Sequence, residues 1–180
     1  MRESSKAALC GIISSLAVVI MLSTYISPLL VYTAPAFSGL LLLLIINELG
    51  CRWAFGTYIT VSLISAFIIA DKEAAVFYTM FFGFYPILGY ILNKNIRNKI
   101  IRTALKLITF NFSCLVSFAV CMYVLSLDMS DILGDGILFT VVFACLMNIL
   151  FVVYDILIIR LQELYVKKLQ KKFRKLFNIR

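Results

Sequence analysis

Six long apolar runs, approximately Ala8 to Ser27, Ala36 to Leu49, Trp53 to Ala70, Ala74 to Leu92, Leu105 to Leu127 and Ile137 to Ile159, leave this chain few ways to fold. Backbone polar groups in hydrocarbon must be satisfied within a helix or a closed barrel, and these runs lack the alternation of a barrel strand. A helix of about 20 apolar residues crosses a bilayer, so the runs predict an all-α membrane protein, a bundle of about six transmembrane helices. The second run is short for a full crossing at about 1.5 Å of rise per residue, so it either begins earlier or lies partly inside the bundle. The 180 residues are 63% hydrophobic and 14% charged, whereas a soluble domain is roughly half apolar and a quarter charged. Residues 1–160 are read as one transmembrane domain and residues 161–180 as a basic amphipathic tail, with no length left for a second domain.

Lys and Arg collect on the cytoplasmic side of short connections, and that rule orients the bundle. Arg2 and Lys6 precede the first run, Arg52 separates the second from the third, and Lys94, Arg97, Lys99, Arg102 and Lys106 lie between the fourth and fifth or at the start of the fifth. The alternate connections carry Asp71, Lys72 and Glu73, and then Asp128, Asp131 and Asp135. Both termini are expected in the cytoplasm. The first run also resembles a signal peptide, with Arg2 and Lys6 before it and small residues at Thr33-Ala34-Pro35-Ala36, but its length and the spans behind it favour an uncleaved helix.

The net charge of +8 is assigned to anionic headgroups of the inner leaflet rather than to nucleic acid, because the basic residues flank apolar runs and fill the tail. In that tail Leu161, Leu164, Tyr165, Leu169, Phe173, Leu176 and Phe177 recur among the lysines at roughly helical spacing, as in a helix lying on a membrane surface. The chain has no histidine, and its five cysteines form no CxxC pair, so neither a zinc site nor a thiol redox motif is expected, and no cofactor is implied. The cysteines read as small buried hydrophobes.

Polar groups inside a bilayer are costly and mark functional candidates. Asn148 falls near the middle of the last run, and Asp155 lies two turns on and on the same face, where it either lines a polar path or pairs with Arg52 or another inner cation. Asn111 is expected to make an interhelical hydrogen bond. Glu48 and Arg52, four residues apart, suit an ion pair if the helix continues that far.

The denser convergence is on the outer side. Asp71, Lys72 and Glu73 form a short charged turn, and Tyr78, Phe81, Phe82 and Tyr85 follow at i, i+3, i+4 and i+7, an aromatic stripe descending from a charged mouth. Aromatic faces stack a flat heterocycle and the charged trio would hold its polar edge. Pro86 removes a backbone donor, so a kink is expected around Phe82. The connection from Tyr25 to Ala36, with Tyr25, Pro28, Tyr32 and Pro35, is apolar and is read as resting on protein or headgroups, which is compatible with a lid over such a site or with packing alone. Ala7, Gly11 and Ser15, spaced four apart on the first helix, form a small-residue face that lets another helix approach closely.

This arrangement resembles the substrate-binding S component of energy-coupling-factor transporters, small bacterial membrane proteins with six helices and both ends inside. Three features carry the resemblance: the Ala7, Gly11 and Ser15 face, where the family docks an alanine-rich face on its coupling subunit; the first outer loop around Pro28 to Pro35; and Glu48-Leu49-Gly50-Cys51-Arg52-Trp53-Ala54, similar to a Gly-x-(Lys/Arg)-Trp-(Gly/Ala) turn. Gly11 and Ser15 stand where alanines are more typical, and no vitamin-specific signature is matched. The resemblance implies a protein of a bacterial plasma membrane that captures a small nutrient outside, with Tyr25, Tyr32, Asp71, Lys72, Glu73, Tyr78, Phe81 and Asn148 as candidate ligand residues. It further implies a transmembrane coupling subunit and two ATPase subunits as partners. The chain has no Walker A pattern of its own.

The alternative from another class is a noncatalytic assembly protein of the rod-shape-determining MreD type. An enzyme is not expected: Asp128, Asp131 and Asp135 are the nearest approach to a carboxylate set, and turn chemistry with Gly134 and Gly136 explains them.

Overall fold

A computed structural model describes residues 3–27, 30–123 and 137–170. Its helices are α1 (Glu3–Leu22), α2 (Leu30–Glu48), α3 (Cys51–Ile68), α4 (Lys72–Phe77), α5 (Tyr85–Asn95), α6 (Lys99–Tyr123) and α7 (Ile137–Leu164). A π turn, Tyr78–Phe82, joins α4 to α5, so these two helices form one interrupted segment. The described fold is all-helical, with six segments long and apolar enough to cross a membrane. The trio Asp128, Asp131 and Asp135, Pro28, and residues 171–180 of the tail lie outside the described residues.

Short turns bring consecutive helices side by side. Between α2 and α3, Gly50 adopts φ 90°, where a side chain would be strained, and its N–H reaches the carbonyls of Ile45 and Ile46 at 3.1 and 3.2 Å. Because α2 stops at Glu48, the continuous helix that a Glu48–Arg52 pair requires is absent. Instead the Tyr165 hydroxyl, beyond the end of α7, donates to Glu48 Oε1 at 3.1 Å. At the far end of α3 the Lys72 ammonium donates to the carbonyls of Ala66 and Ile69, both at 2.9 Å, and so caps the helix.

The break in the fourth segment follows from Pro86. Gly83 N–H bonds back five residues to the Tyr78 carbonyl at 2.7 Å, which deprives the Thr79 carbonyl of its usual partner. The Tyr58 hydroxyl of α3 donates to that carbonyl at 2.8 Å. Pro86 likewise has no N–H for the Phe82 carbonyl. That oxygen points at α2, where a Cβ on Gly39 would collide with it. The expected kink around Phe82 is present, seated in a notch that only glycine provides.

The structure refines three segment ends. The stretch from Tyr25 to Ala36 is not a lid loop: Ser23–Tyr25 is a 3-10 turn, and α2 starts at Leu30 and carries Pro35 inside it, buried with Ala34. Proline early in a helix forfeits one hydrogen bond, and burial of the surrounding face outweighs it. The fifth segment begins before Leu105: α6 starts at Lys99, where Asn98 Oδ1 accepts the Ile100 N–H at 3.0 Å. Two turns into α6, Lys106 is 2% exposed. Finally, α7 runs to Leu164 and continues as a π turn over Tyr165–Leu169.

Candidate ligand cavity and docking groove

A cavity of about 310 Å³ lies between α2, the π turn, α6 and α7. Tyr32, Thr33, Ala36, Phe37 and Leu40 line it from α2, Phe77, Phe81 and Phe82 from the fourth segment, Phe110, Cys114, Ser117 and Phe118 from α6, and Met147, Leu150, Phe151, Tyr154 and Leu157 from α7. Its volume is at the small end of ligand pockets, which run from about 300 to 1,000 Å³. Phe81 is the centre of the ring cluster, with centroids 5.1 Å from Phe110, 4.9 Å from Tyr85 and 5.9 Å from Phe151. Phe110 and Phe151 stack at 4.5 Å and 15°. These edge-to-face and offset arrangements hold the wall rigid and leave ring faces and edges for a ligand.

The π turn redistributes the aromatic stripe. On an unbroken α-helix Tyr78, Phe81, Phe82 and Tyr85 share a face; the wider turn rotates the register so that Phe81 and Phe82 reach the cavity while Tyr78 and Tyr85 do not. Tyr78 is fully buried on the α1–α3 side, its ring 6.3 Å from that of Tyr58. Of the remaining candidates, Tyr32 lines the cavity, 5.4 Å from the Phe77 ring, and Glu73 lies within electrostatic range of Tyr32 and Cys121 at that end. Tyr25 is 60% exposed and apart from the cavity. Asp71 does not line it either, and Lys72 is engaged in capping α3. Asn148 exchanges amide hydrogen bonds with Asn111 across α6 and α7 at 3.0 and 3.3 Å, outside the cavity. That pair supplies the interhelical bond expected of Asn111.

Next to the cavity is a charged cluster in which Asp155 meets one of the inner cations expected as its partners, Lys106 rather than Arg52. Lys106 Nζ donates to Asp155 Oδ1 and Oδ2 at 2.7 and 2.9 Å, and the Tyr85 hydroxyl donates to Oδ1 at 2.7 Å. Each member sits one turn from, or next to, a cavity residue: Tyr85 after Phe81, Lys106 before Phe110, Asp155 beside Tyr154. The signal available in sequence was the spacing of Lys106, Phe110, Ser113, Ser117 and Cys121, the buried face of α6.

Ala7, Gly11 and Ser15 lie together along an open groove of about 740 Å³ between α1 and α3. The groove adds Trp53, Gly56, Thr57 and Thr60 of α3 to the face on α1. A Cβ on Gly11 or Gly56 would meet nothing within 4 Å, so neither glycine serves packing inside the described fold. Ser15 donates to the Gly11 carbonyl at 2.9 Å, and Thr57 and Thr60 donate to the Trp53 and Gly56 carbonyls at 3.0 Å each. With its hydroxyls satisfied within their own helices, the groove offers a smooth small-residue surface that makes no polar demand.

The comparisons with known proteins identify no family for this chain: no family model, no curated protein and no solved structure matches it.

Proposed function

We propose that this protein is a capture subunit of an importer of the energy-coupling-factor type, holding a small ring-bearing molecule in the aromatic cavity and docking on a transmembrane coupling subunit through the α1–α3 groove. The observation that carries this reading is the division of labour between helices. The cavity draws on α2, the fourth segment, α6 and α7, and the groove draws on α1 and α3. A carrier of this kind needs two such surfaces, one for cargo and one for the partner that supplies energy. The distribution of Lys and Arg supports placing the Glu73 end outside and both termini in the cytoplasm. An assembly protein needs no interior void, and the cavity therefore favours capture over that alternative.

Native mass spectrometry of the full chain, released from mild detergent, tests the proposal. A retained adduct of constant mass, together with co-purification of a larger membrane protein and ATPase subunits, is the expected outcome. A bare protein that binds nothing in a screen of vitamins and nucleobases and brings down no coupling subunit sinks it.

A further inference from the structure

The chemistry of the cavity wall and the place where it opens restrict the cargo further. Among the described residues that line the cavity, none carries a charge. Lys106 and Asp155 do not line it and neutralise each other. Tyr154 already donates its hydroxyl to the Ala36 carbonyl at 3.3 Å. Ser117 is different: it lines the cavity, it is 1% exposed, and its Oγ has no hydrogen-bond partner. A serine inside a helix ordinarily donates to a carbonyl one turn back, as Ser15 does here. A buried hydroxyl without a partner costs free energy, and a ligand accepting a bond from Ser117 removes that cost.

The mouth of the cavity is equally specific. Phe37, Leu150 and Leu157 line the void and are also 60%, 59% and 41% exposed on the outer surface of the bundle, and Tyr32, which lines it near the start of α2, is 41% exposed. The opening therefore lies between α2 and α7. Phe37 is seven residues into α2, about 10 Å along its axis at 1.5 Å per residue, so the opening is at hydrocarbon depth and faces lipid rather than water. A charged or strongly polar molecule would have to be desolvated to reach it by that route.

Accepting the capture reading, we infer that the cargo is a neutral, lipid-soluble ring system with a hydrogen-bond acceptor, that it enters sideways from the bilayer between α2 and α7, and that Ser117 is its polarity-selecting contact. The stacked Phe110 and Phe151 rings flank the body of the molecule, and Ser117 donates to an acceptor on it. The aromatic wall selects a flat ring over a phospholipid acyl chain, which would use neither ring faces nor the hydroxyl.

The test uses the full chain in lipid nanodiscs and two probes that share a ring system: 2-methyl-1,4-naphthoquinone, which is neutral and carries carbonyl acceptors, and its water-soluble sulfonate. The neutral probe should bind at a 1:1 ratio and the sulfonate at least tenfold more weakly. Ser117→Ala, a change too small to disturb folding, should weaken the neutral probe several-fold. Leu150→Trp, at the mouth, should slow its uptake from preloaded lipid several-fold. Equal binding of the two probes, or an unaltered affinity in Ser117→Ala, overturns the inference, as does copurified phospholipid that the neutral probe fails to displace. Capture of a polar vitamin from water overturns it too, while leaving the capture function standing. A chain that binds neither probe nor any vitamin fails both readings.

Discussion

Lys106 of α6 and Asp155 of α7 form a two-point ion pair, Nζ to Oδ1 and Oδ2 at 2.7 and 2.9 Å, with the lysine side chain 3% exposed and the aspartate 20%. Tyr85 completes the carboxylate shell from α5, directly after the broken part of the fourth segment. The cluster thus ties three helices together at the level where the aromatic cavity ends. In hydrocarbon neither charge is tolerable alone, so the pair sets the register of α6 against α7 and with it the facing of Phe110 and Phe151.

Removing one partner should cost far more than removing both. Lys106→Met leaves an uncompensated carboxylate and should destabilise by about 3–5 kcal/mol, the usual range for breaking a buried pair. The double variant Lys106→Met with Asp155→Leu should recover most of the loss. Thermal melting in detergent followed by size-exclusion chromatography reads both, and equal losses for the single and double variants would contradict a coupled pair.

Gly39 should tolerate no side chain. Its added Cβ would overlap the Phe82 carbonyl and press on the Tyr154 hydroxyl, so Gly39→Ala should destabilise by about 1–3 kcal/mol, as overpacking does. Gly11→Ala meets open space and should stay within about 0.5 kcal/mol of the parent. Melting temperatures of the two variants measured side by side check the contrast.

Tyr58→Phe removes the hydroxyl that satisfies the Thr79 carbonyl in the π turn. Leaving that buried acceptor bare should cost about 1–3 kcal/mol. Hydrogen exchange across residues 78–84 should accelerate in the variant; unchanged protection would mean that the π turn does not depend on α3.

Docking and capture should separate by mutation. Gly11→Leu or Gly56→Leu fills the α1–α3 groove and should abolish co-purification of a coupling subunit while leaving ligand retention intact. Tyr32→Ala, in the cavity wall, should do the reverse. Tyr78→Phe should affect neither, since its ring lies on the far side of the π turn. Pull-down and native mass spectrometry of the same preparations decide between these patterns.

Everything local in this protein was legible from the order of its residues. Burying twenty-odd apolar residues in lipid forces a helix whatever its neighbours are, so the number of spanning segments was readable from the runs alone, and the break at Pro86 was readable because a missing N–H is a property of one residue. What tertiary structure decided is which side chains meet. A five-residue π turn sent Tyr78 away from Phe81, and packing of α6 against α7 carried Lys106, at the start of the fifth run, into the core. Asn148 met Asn111 instead of a ligand, and Pro35 stayed helical because the packing around it outweighed one lost hydrogen bond. Sequence periodicity assumes an unbroken 3.6-residue turn and known ends, whereas a shift of one residue rotates every later side chain by about 100° at that periodicity. The cavity is assembled from four segments, each with such a register, and it exists only when all four are set together.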